Sequence, residues 1–281
     1  MNKYLAQIRR AFLQSLADDV MNTSKATAYS AMLMMFPALL VVTTLVAQVQ
    51  DDGTALSGLR ALFEQFLPPD TLDLLQSDVM SRRIHSFDLI LSASAVGILA
   101  GLEVMLSLME GFRRAYRLAA QDWGFWGRRL RALLLLPICL VPLSIATLLI
   151  IFGHQIELWT VDHSVHELRH IVLVFWRIVR WSISAVTSIT VLASLYHFGT
   201  RRKEHWAWVV QGAVAGTLIW FPATLAFGWY VTRIANYSLI YGPFGAGIAT
   251  LVWLYITSFS VLLGAELNGI RYCERGLSPP A

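Results

Sequence analysis

Six long apolar stretches separated by polar segments dominate the chain, and each is long enough to cross a membrane as a helix. A hydrocarbon core of about 30 Å needs roughly 20 helical residues. Because backbone groups in lipid must be paired within the segment, stretches this continuous predict helices and not barrel strands. The predicted spans cover residues 26–49, 87–109, 132–153, 175–197, 207–231 and 243–266.

Two further segments have an amphipathic pattern. Within residues 3–16, apolar side chains recur on one helical face, at Leu5, Ile8, Phe12 and Leu16. This pattern suits a helix that lies in the inner membrane interface. The first outer loop, residues 51–86, also predicts short helices, which either pack over the outer mouth of the bundle or form a lid or partner-docking element.

The expected fold class is an all-α membrane protein, with six transmembrane helices and amphipathic helices in the N-terminal segment and first outer loop. We expect a cytoplasmic N-terminal segment over residues 1–25, a six-span bundle over residues 26–270 and a short cytoplasmic tail over residues 271–281. The start of the chain lacks the pattern of a cleavable signal peptide, because its first apolar stretch begins near residue 26.

The distribution of positive charge predicts the orientation. Fifteen of the 22 Lys and Arg residues fall on the side of the two termini, and seven fall on the other side. The positive-inside rule therefore places both termini in the cytoplasm. Composition agrees with a membrane protein, since only 14% of residues are charged, against about a quarter in soluble domains. Because topology accounts for the net charge of +4, no nucleic-acid partner is predicted.

Ionisable residues inside the spans are the first candidates for a functional site. Glu103 lies deep in the second span, Glu110 lies seven residues later on the same helical face, and Glu266 ends the sixth span. A charge at mid-bilayer costs about 2.5–3.5 kcal/mol, so such residues usually face the bundle interior or a cavity. Two interpretations are open. Either an acidic inner cavity binds a proton or the cationic part of a substrate, or the carboxylates pair between helices and fix the bundle.

Two groups near the outer side are further candidates. Arg177 and Arg180 share a helical face, where they either grip a phosphate-bearing headgroup or snorkel to headgroups without specificity. His163, His166 and His170 are spaced so that a helix would place them roughly on one face. They are weak candidates for a metal or pH-sensing site, beside the alternative of solvated loop residues. No other metal site and no cofactor are predicted.

Several phrases of sequence, in their order and spacing, resemble the YihY/BrkB family of bacterial inner-membrane proteins. These phrases are AYSAMLMMFP at 28–37, FLP at 66–68, LYHFG at 195–199, YG at 241–242, WLY at 253–255 and GAELN at 264–268. The resemblance extends over roughly residues 23–272. The chain departs from the family at Thr200, where Pro is frequent, and at Arg113, where Asn is frequent.

The resemblance implies six spans and a location in the bacterial inner (plasma) membrane. Members of this family have been labelled both a ribonuclease and a virulence or serum-resistance factor. Metal-assisted cleavage of a phosphodiester needs clustered carboxylates or histidines in an aqueous site. The carboxylates predicted on the inner side are scattered along the sequence. Ribonuclease activity is therefore not expected, and we do not expect the protein to be an enzyme.

Two main hypotheses of function remain, both with membrane lipids as partners. The first is a transporter or flippase-like exporter of an amphiphilic or lipid-linked molecule. Because the chain has no ATP-binding motif, such transport would be driven by a gradient or run downhill. The second is a non-transporting envelope scaffold that positions a partner, and an intramembrane enzyme is the remaining alternative. A polar cavity reaching Glu103 would favour the transporter, and a tightly packed bundle with an exposed apolar groove would favour the scaffold.

The predicted orientation is tested with reporter fusions. A reporter that is active only in the cytoplasm should work when fused after Arg275, and one active only in the periplasm should fail there. A periplasmic reporter inserted at Ser164 should be active, because the connection between the third and fourth spans is predicted to lie outside. The reverse pattern at either position would contradict the orientation.

Overall fold

The computed structural model describes residues 2–49, 86–118, 124–163, 169–200, 205–233 and 243–275, and within these ranges the chain forms helices and no strand. The helices in these ranges are α1 (Asn2–Ala17), α2 (Val20–Val49), α3 (Ser86–Ala115), α4 (Phe125–His163), α5 (Arg169–Gly199), α6 (Trp206–Arg233) and α7 (Pro243–Glu274). Helices α2 to α7 are each long and apolar enough to cross a membrane. The all-α class and the six spans are confirmed. The helices predicted for the first outer loop lie outside the described residues.

The helices run beyond the predicted spans, and α4 does so most. It covers Phe125–His163, whereas its apolar stretch predicted a span over residues 132–153. Hydropathy detects only the part of a helix that suits lipid, whereas helical hydrogen bonding continues as long as the chain can propagate it. As a result His163 is the last residue of α4 and His170 lies in the first turn of α5.

The chain divides into two compact units. The first comprises Met1–Asp18, Phe112–Ile219 and Val261–Ala281, and the second comprises Asp19–Gly111 and Trp220–Ser260. Helices α4 and α5, which pack against each other, belong entirely to the first unit. Helices α3, α6 and α7 contribute to both units, because the division falls within each of them.

In the first unit, α1 turns its small and polar residues inward. Gln7, Ala11 and Ser15 are buried. The large apolar side chains left exposed on this helix are Phe12, Leu13 and Leu16. Among its described side chains, α1 is therefore amphipathic, with large apolar residues that do not pack against the protein. Such a stripe is what a helix in the membrane interface needs, and its contact with lipid stays a prediction.

Helix α7 passes close to its neighbours in the first unit because glycine stands at the crossing points. A Cβ atom built on Gly264 would lie 2.7 Å from the carbonyl oxygen of Gly212 in α6. A Cβ atom built on Gly269 would overlap the carbonyl oxygen of Ala115 in α3. Helices in membranes associate through such small residues, which let their backbones approach.

Aromatic rings pack beside these crossings. Phe112 meets Tyr196 edge to face, with ring centroids 5.2 Å apart, and Tyr116 meets Tyr272 with centroids 5.8 Å apart. The Tyr196 hydroxyl donates a hydrogen bond to the carbonyl oxygen of Val261 at 2.6 Å. A buried tyrosine usually needs such a partner, so this one side chain ties α5 to both α3 and α7.

The second unit has its own contacts between helices. A Cβ atom built on Gly97 of α3 would lie 3.5 Å from the Pro37 side chain of α2. The indole N–H of Trp220 in α6 donates to the hydroxyl of Thr257 in α7 at 3.1 Å. Helices α2 and α3 therefore pack at van der Waals distance here, and a polar bond joins α6 to α7.

We expect Gly269→Ala to destabilise the protein. The added methyl group would overlap a backbone carbonyl, so α3 and α7 would have to separate, and overpacking of this kind costs about 1–3 kcal/mol or more. Gly228→Ala is the matched control, since a Cβ atom there meets no described atom within 4 Å and alanine is better than glycine in a helix by roughly 0.5–1 kcal/mol. Thermal unfolding in detergent should show a lower melting temperature for the first variant only. An unchanged temperature for Gly269→Ala would contradict the close crossing.

Candidate functional site

Glu266 is the most deeply buried of the carboxylates predicted as site residues. It lies within the candidate membrane span Gly247–Glu274, about two helical turns before α7 ends, and its exposed fraction is only 1%. The sequence placed it at the end of the sixth span, but α7 continues past it to Glu274. A carboxylate so enclosed keeps almost no contact with water, so neighbouring groups must compensate for its lost hydration.

Two charged residues of the first unit lie beside Glu266. The carboxyl group of Asp18 is within hydrogen-bonding reach, and the guanidinium of Arg117 is close enough for an attractive electrostatic interaction. No hydrogen-bond donor in the part of the chain that the structure describes reaches Glu266 Oε1. We call Asp18, Arg117 and Glu266 the carboxyl–arginine cluster.

Arg117 is held in place by the way α3 ends. The N–H of Arg117 donates to the carbonyl of Arg114, and the N–H of Leu118 donates to the carbonyl of Arg113, both at 2.9 Å. This is the pattern of a Schellman motif, in which the residue that turns the chain is usually glycine. Arg117 takes that position with φ of 53°, in the left-handed region that costs a residue with a side chain about 1 kcal/mol or more.

Arg113, one of the two departures from the family pattern, supports the same turn. Its side chain donates to the carbonyl oxygen of Leu118 at 3.0 Å. A cationic side chain that binds carbonyl groups at a helix C-terminus is favourable, because those carbonyls lack helical partners and carry the negative end of the helix dipole. Arg113 therefore has a local structural role in this chain.

Asp18 is placed by the break between α1 and α2. Its N–H donates to the carbonyl of Gln14 at 2.8 Å, which closes the last turn of α1. The next residue, Asp19, has φ of 58°, a conformation that Asp tolerates better than most residues. Because α1 ends here, the Asp18 side chain belongs to the first unit together with Glu266.

The residues that flank Glu266 in the GAELN phrase pack α7 against α6. The Asn268 side chain donates to the carbonyl oxygen of Val209 at 3.0 Å, and both residues are buried. Gly264 lies at the crossing with Gly212. The GAELN phrase, one of those that carry the family resemblance, is therefore a packing element that also contains a buried carboxylate.

The other predicted site residues are not members of the carboxyl–arginine cluster. Glu103 and Glu110 belong to the second unit, where Glu103 is exposed on α3 and Glu110 is half-buried with a partner of its own. The role predicted for Glu103 stays a prediction. Arg177 is exposed near the start of α5, and Arg180, one turn later, is half-buried.

The predicted histidine site stays a prediction. His166 lies outside the described residues, whereas His163 and His170 fall in different helices, α4 and α5. Within the described ranges, no group of three or more His, Cys, Asp or Glu side chains is arranged to hold a metal ion.

Sequence reasoning missed Asp18 and Arg117 as site residues. Both are ordinary polar residues outside the predicted spans, and the sequence assigned Arg117 only to the positive charge of an inner loop. The Asp18-Asp19 pair just before the first span indicates a helix boundary. Nothing in the sequence around this pair indicates that Asp18 lies beside α7. The left-handed turn at Arg117 had no signal, since glycine is absent there.

The six helices of membrane-crossing length found among the described residues define a multi-pass membrane protein. The sequence profile of the family described as Virulence factor BrkB matches residues 11–277, and the chain belongs to this family. The resemblance predicted from the sequence is thereby confirmed.

Similar proteins include some that are named membrane proteins and one with a ribonuclease-like name. The chain is 26% identical to the ribonuclease-like protein YfkH of Bacillus subtilis over 274 residues, which are 96% of each protein. It is 30% identical to a UPF0761 membrane protein of Nitrosospira multiformis over 179 residues, 62% of this chain and 40% of that one. A UPF0761 membrane protein of Vibrio cholerae is 31% identical over 90 residues, 32% of this chain and 30% of that one. No solved structure matches the chain.

The left-handed turn at Arg117 predicts which of two substitutions there leaves the protein more stable. Arg117→Gly and Arg117→Ala both remove the guanidinium, but only glycine relieves the left-handed conformation. The Gly variant should therefore be more stable than the Ala variant, by about 1 kcal/mol. At Arg114, which is helical, the order should reverse, because glycine is the poorer helix residue. Melting temperatures of the four purified variants test both orders, and a more stable Arg117→Ala variant would contradict the turn.

Proposed function

We propose that this protein is a flippase-like transporter of an amphiphilic or lipid-linked molecule, and that the carboxyl–arginine cluster binds the coupling proton or the cationic part of the substrate. The buried Glu266 carboxyl with an unsatisfied oxygen supports this most directly. Ionisable residues inside membrane segments are costly, and they usually mark ion or substrate paths. The competing role is structural pairing with Arg117 to hold α7 in place.

The hydrogen-bond inventory of the cluster favours a proton as the bound ion. Ionised carboxylates are acceptors only, so two of them attract each other only when a proton lies between them. Asp18 and Glu266 are within hydrogen-bonding reach, and no described donor reaches Glu266 Oε1. A proton shared by the two carboxyl groups would satisfy this arrangement without any other ligand.

Helix geometry also supports a path that opens and closes. Pro37, Pro137, Pro142 and Pro222 all lie inside candidate spans, where proline removes a helical hydrogen bond and permits a kink. Such positions are where membrane helices bend during transport. In the predicted orientation, α1 offers its apolar stripe to the inner leaflet, where an amphiphile would enter.

The name of the Bacillus relative favours ribonuclease activity as a second candidate. That chemistry needs carboxylates that hold metal ions in contact with water and RNA. Glu266 is enclosed, so it offers a poor site for a phosphodiester from solution. We therefore rank ribonuclease activity below transport, with a non-transporting scaffold as the main alternative.

The proposed function is tested by removing the charge of Glu266 without changing its shape. In proteoliposomes with a pH gradient, the native protein should move a fluorescent short-chain phospholipid between leaflets faster than protein-free vesicles, as read by dithionite quenching. Glu266→Gln and Asp18→Asn should abolish this acceleration, because neither amide releases and rebinds a proton. Asp19→Asn is the matched control, since it alters the adjacent exposed carboxylate, and it should retain activity.

The outcomes separate the competing roles. Full activity of Glu266→Gln at normal abundance in the membrane would end the proposal for this residue. Activity that falls only in proportion to the amount of folded protein would assign Glu266 to structure. The same assay on Glu103→Gln tests whether the exposed carboxylate of α3 is the coupling residue instead.

A further inference from the structure

A small cleft in the first unit adjoins the carboxyl–arginine cluster, because Arg117 belongs to both. Its volume is about 160 Å³, and it is bounded by residues of α1, of the end of α3 and of the last turns of α7. The residues that matter for its chemistry are Arg10, Gln14, Ala115, Arg117, Gly269 and Glu274. A single water needs only about 10–15 Å³ of such space, so the cleft has room for a group larger than one water.

Two arginines from different elements line this cleft. Arg10 belongs to α1, and Arg117 occupies the strained turn after α3. Gly269 lets α7 pass close to Ala115 at the wall of the cleft, where any larger residue would collide. The cleft therefore depends on two features that each carry a conformational constraint, a left-handed arginine and a glycine crossing.

The carboxylate of Glu274 is a weak resident partner of this site. Its Oε1 lies 3.7 Å from a guanidinium nitrogen of Arg10, and its Oε2 accepts a hydrogen bond from the Gln7 side chain at 3.1 Å. The Arg10 side chain is 69% exposed, and an ion pair this exposed contributes little stability. An incoming anion can therefore replace Glu274 as the partner of Arg10 at small cost.

We propose that this cleft binds a phosphate group through Arg10 and Arg117. Guanidinium groups match the geometry of phosphate oxygens and form short charge-assisted hydrogen bonds with them. The phosphate is that of a lipid headgroup or of a soluble phosphate, since both present the same oxygens. The inference goes beyond the proposed function, because binding at this cleft requires no transport.

Topology alone does not account for this arrangement. Positive charge on one side of a membrane protein needs only to be near the surface. Here one arginine is kept in a backbone conformation that glycine would adopt more easily, at the edge of a cavity shared with a second arginine. Strain of this kind is often kept at ligand-binding positions. The exposed Phe12, Leu13 and Leu16 lie on the same helix as Arg10, so a lipid in the interface is within reach of the cleft.

The test measures binding by the full chain purified in detergent. The probes are dioctanoyl phosphatidylglycerol, inorganic phosphate and uncharged dioctanoylglycerol, each titrated by calorimetry. Arg10→Gln and Arg117→Asn should each weaken binding of a phosphate probe at least about tenfold, because each removes a charged donor. Asparagine is chosen at 117 because it tolerates the left-handed conformation.

Two further variants sharpen the result. Arg129→Gln is the matched control, since its guanidinium stacks on the Phe125 ring at 3.7 Å and does not line the cleft, and its affinity should stay within about twofold of the native value. Glu274→Gln should bind phosphate more tightly, because it removes the competing carboxylate.

Binding of phosphatidylglycerol alone would identify a lipid headgroup as the source of the phosphate, and binding of inorganic phosphate would identify a soluble one. Three results would overturn the proposal. These are equal weakening by Arg129→Gln and the cleft variants, equal affinity for uncharged dioctanoylglycerol, and no binding of either phosphate probe.

Discussion

The close passage of α7 against α3 and α6 is the constraint on which the first unit depends. Lipid tails are as apolar as leucine, so membrane helices gain little from hydrophobic burial against each other and associate through packing and hydrogen bonds. Both require short distances, which Gly264 and Gly269 provide. The bonds from Tyr196 to Val261 and from Asn268 to Val209 form only at that separation. The same closeness encloses Glu266 and gives its carboxylate a setting without water.

The fold was predictable because its signal is local. An apolar stretch of sufficient length predicts a membrane-crossing helix without information from the rest of the chain. The site was predictable only in part. Glu266 was visible as a charge in a span, but its partner Asp18 comes from the other end of the sequence and has no local sign of that role. Hydropathy also made Glu103 the most conspicuous candidate, because it registers a charge without registering which face of α3 bears it.

Arg117 shows how one residue can serve conflicting demands. The turn after α3 favours glycine, whereas Glu266 and the cleft both favour a cation. Natural proteins keep strained residues where function requires them and recover the stability elsewhere. Here the recovery is local, since Arg113 binds the carbonyl oxygen of Leu118 and the Schellman hydrogen bonds close the turn. Arg113 therefore supports the strained residue four positions later.

The length of α4 has a mechanical consequence. With 39 residues the helix is about 58 Å long, nearly twice the hydrocarbon thickness of about 30 Å. Even at a tilt of about 40°, near the limit seen for membrane helices, its ends together extend about 15 Å beyond the lipid along the membrane normal. The segment from Pro142 to His163 is about 32 Å long, so a bend of about 10° at Pro142 moves its far end by about 5–6 Å. Slight bending at this proline thus becomes a movement of about half a helix diameter at the far end of the same helix.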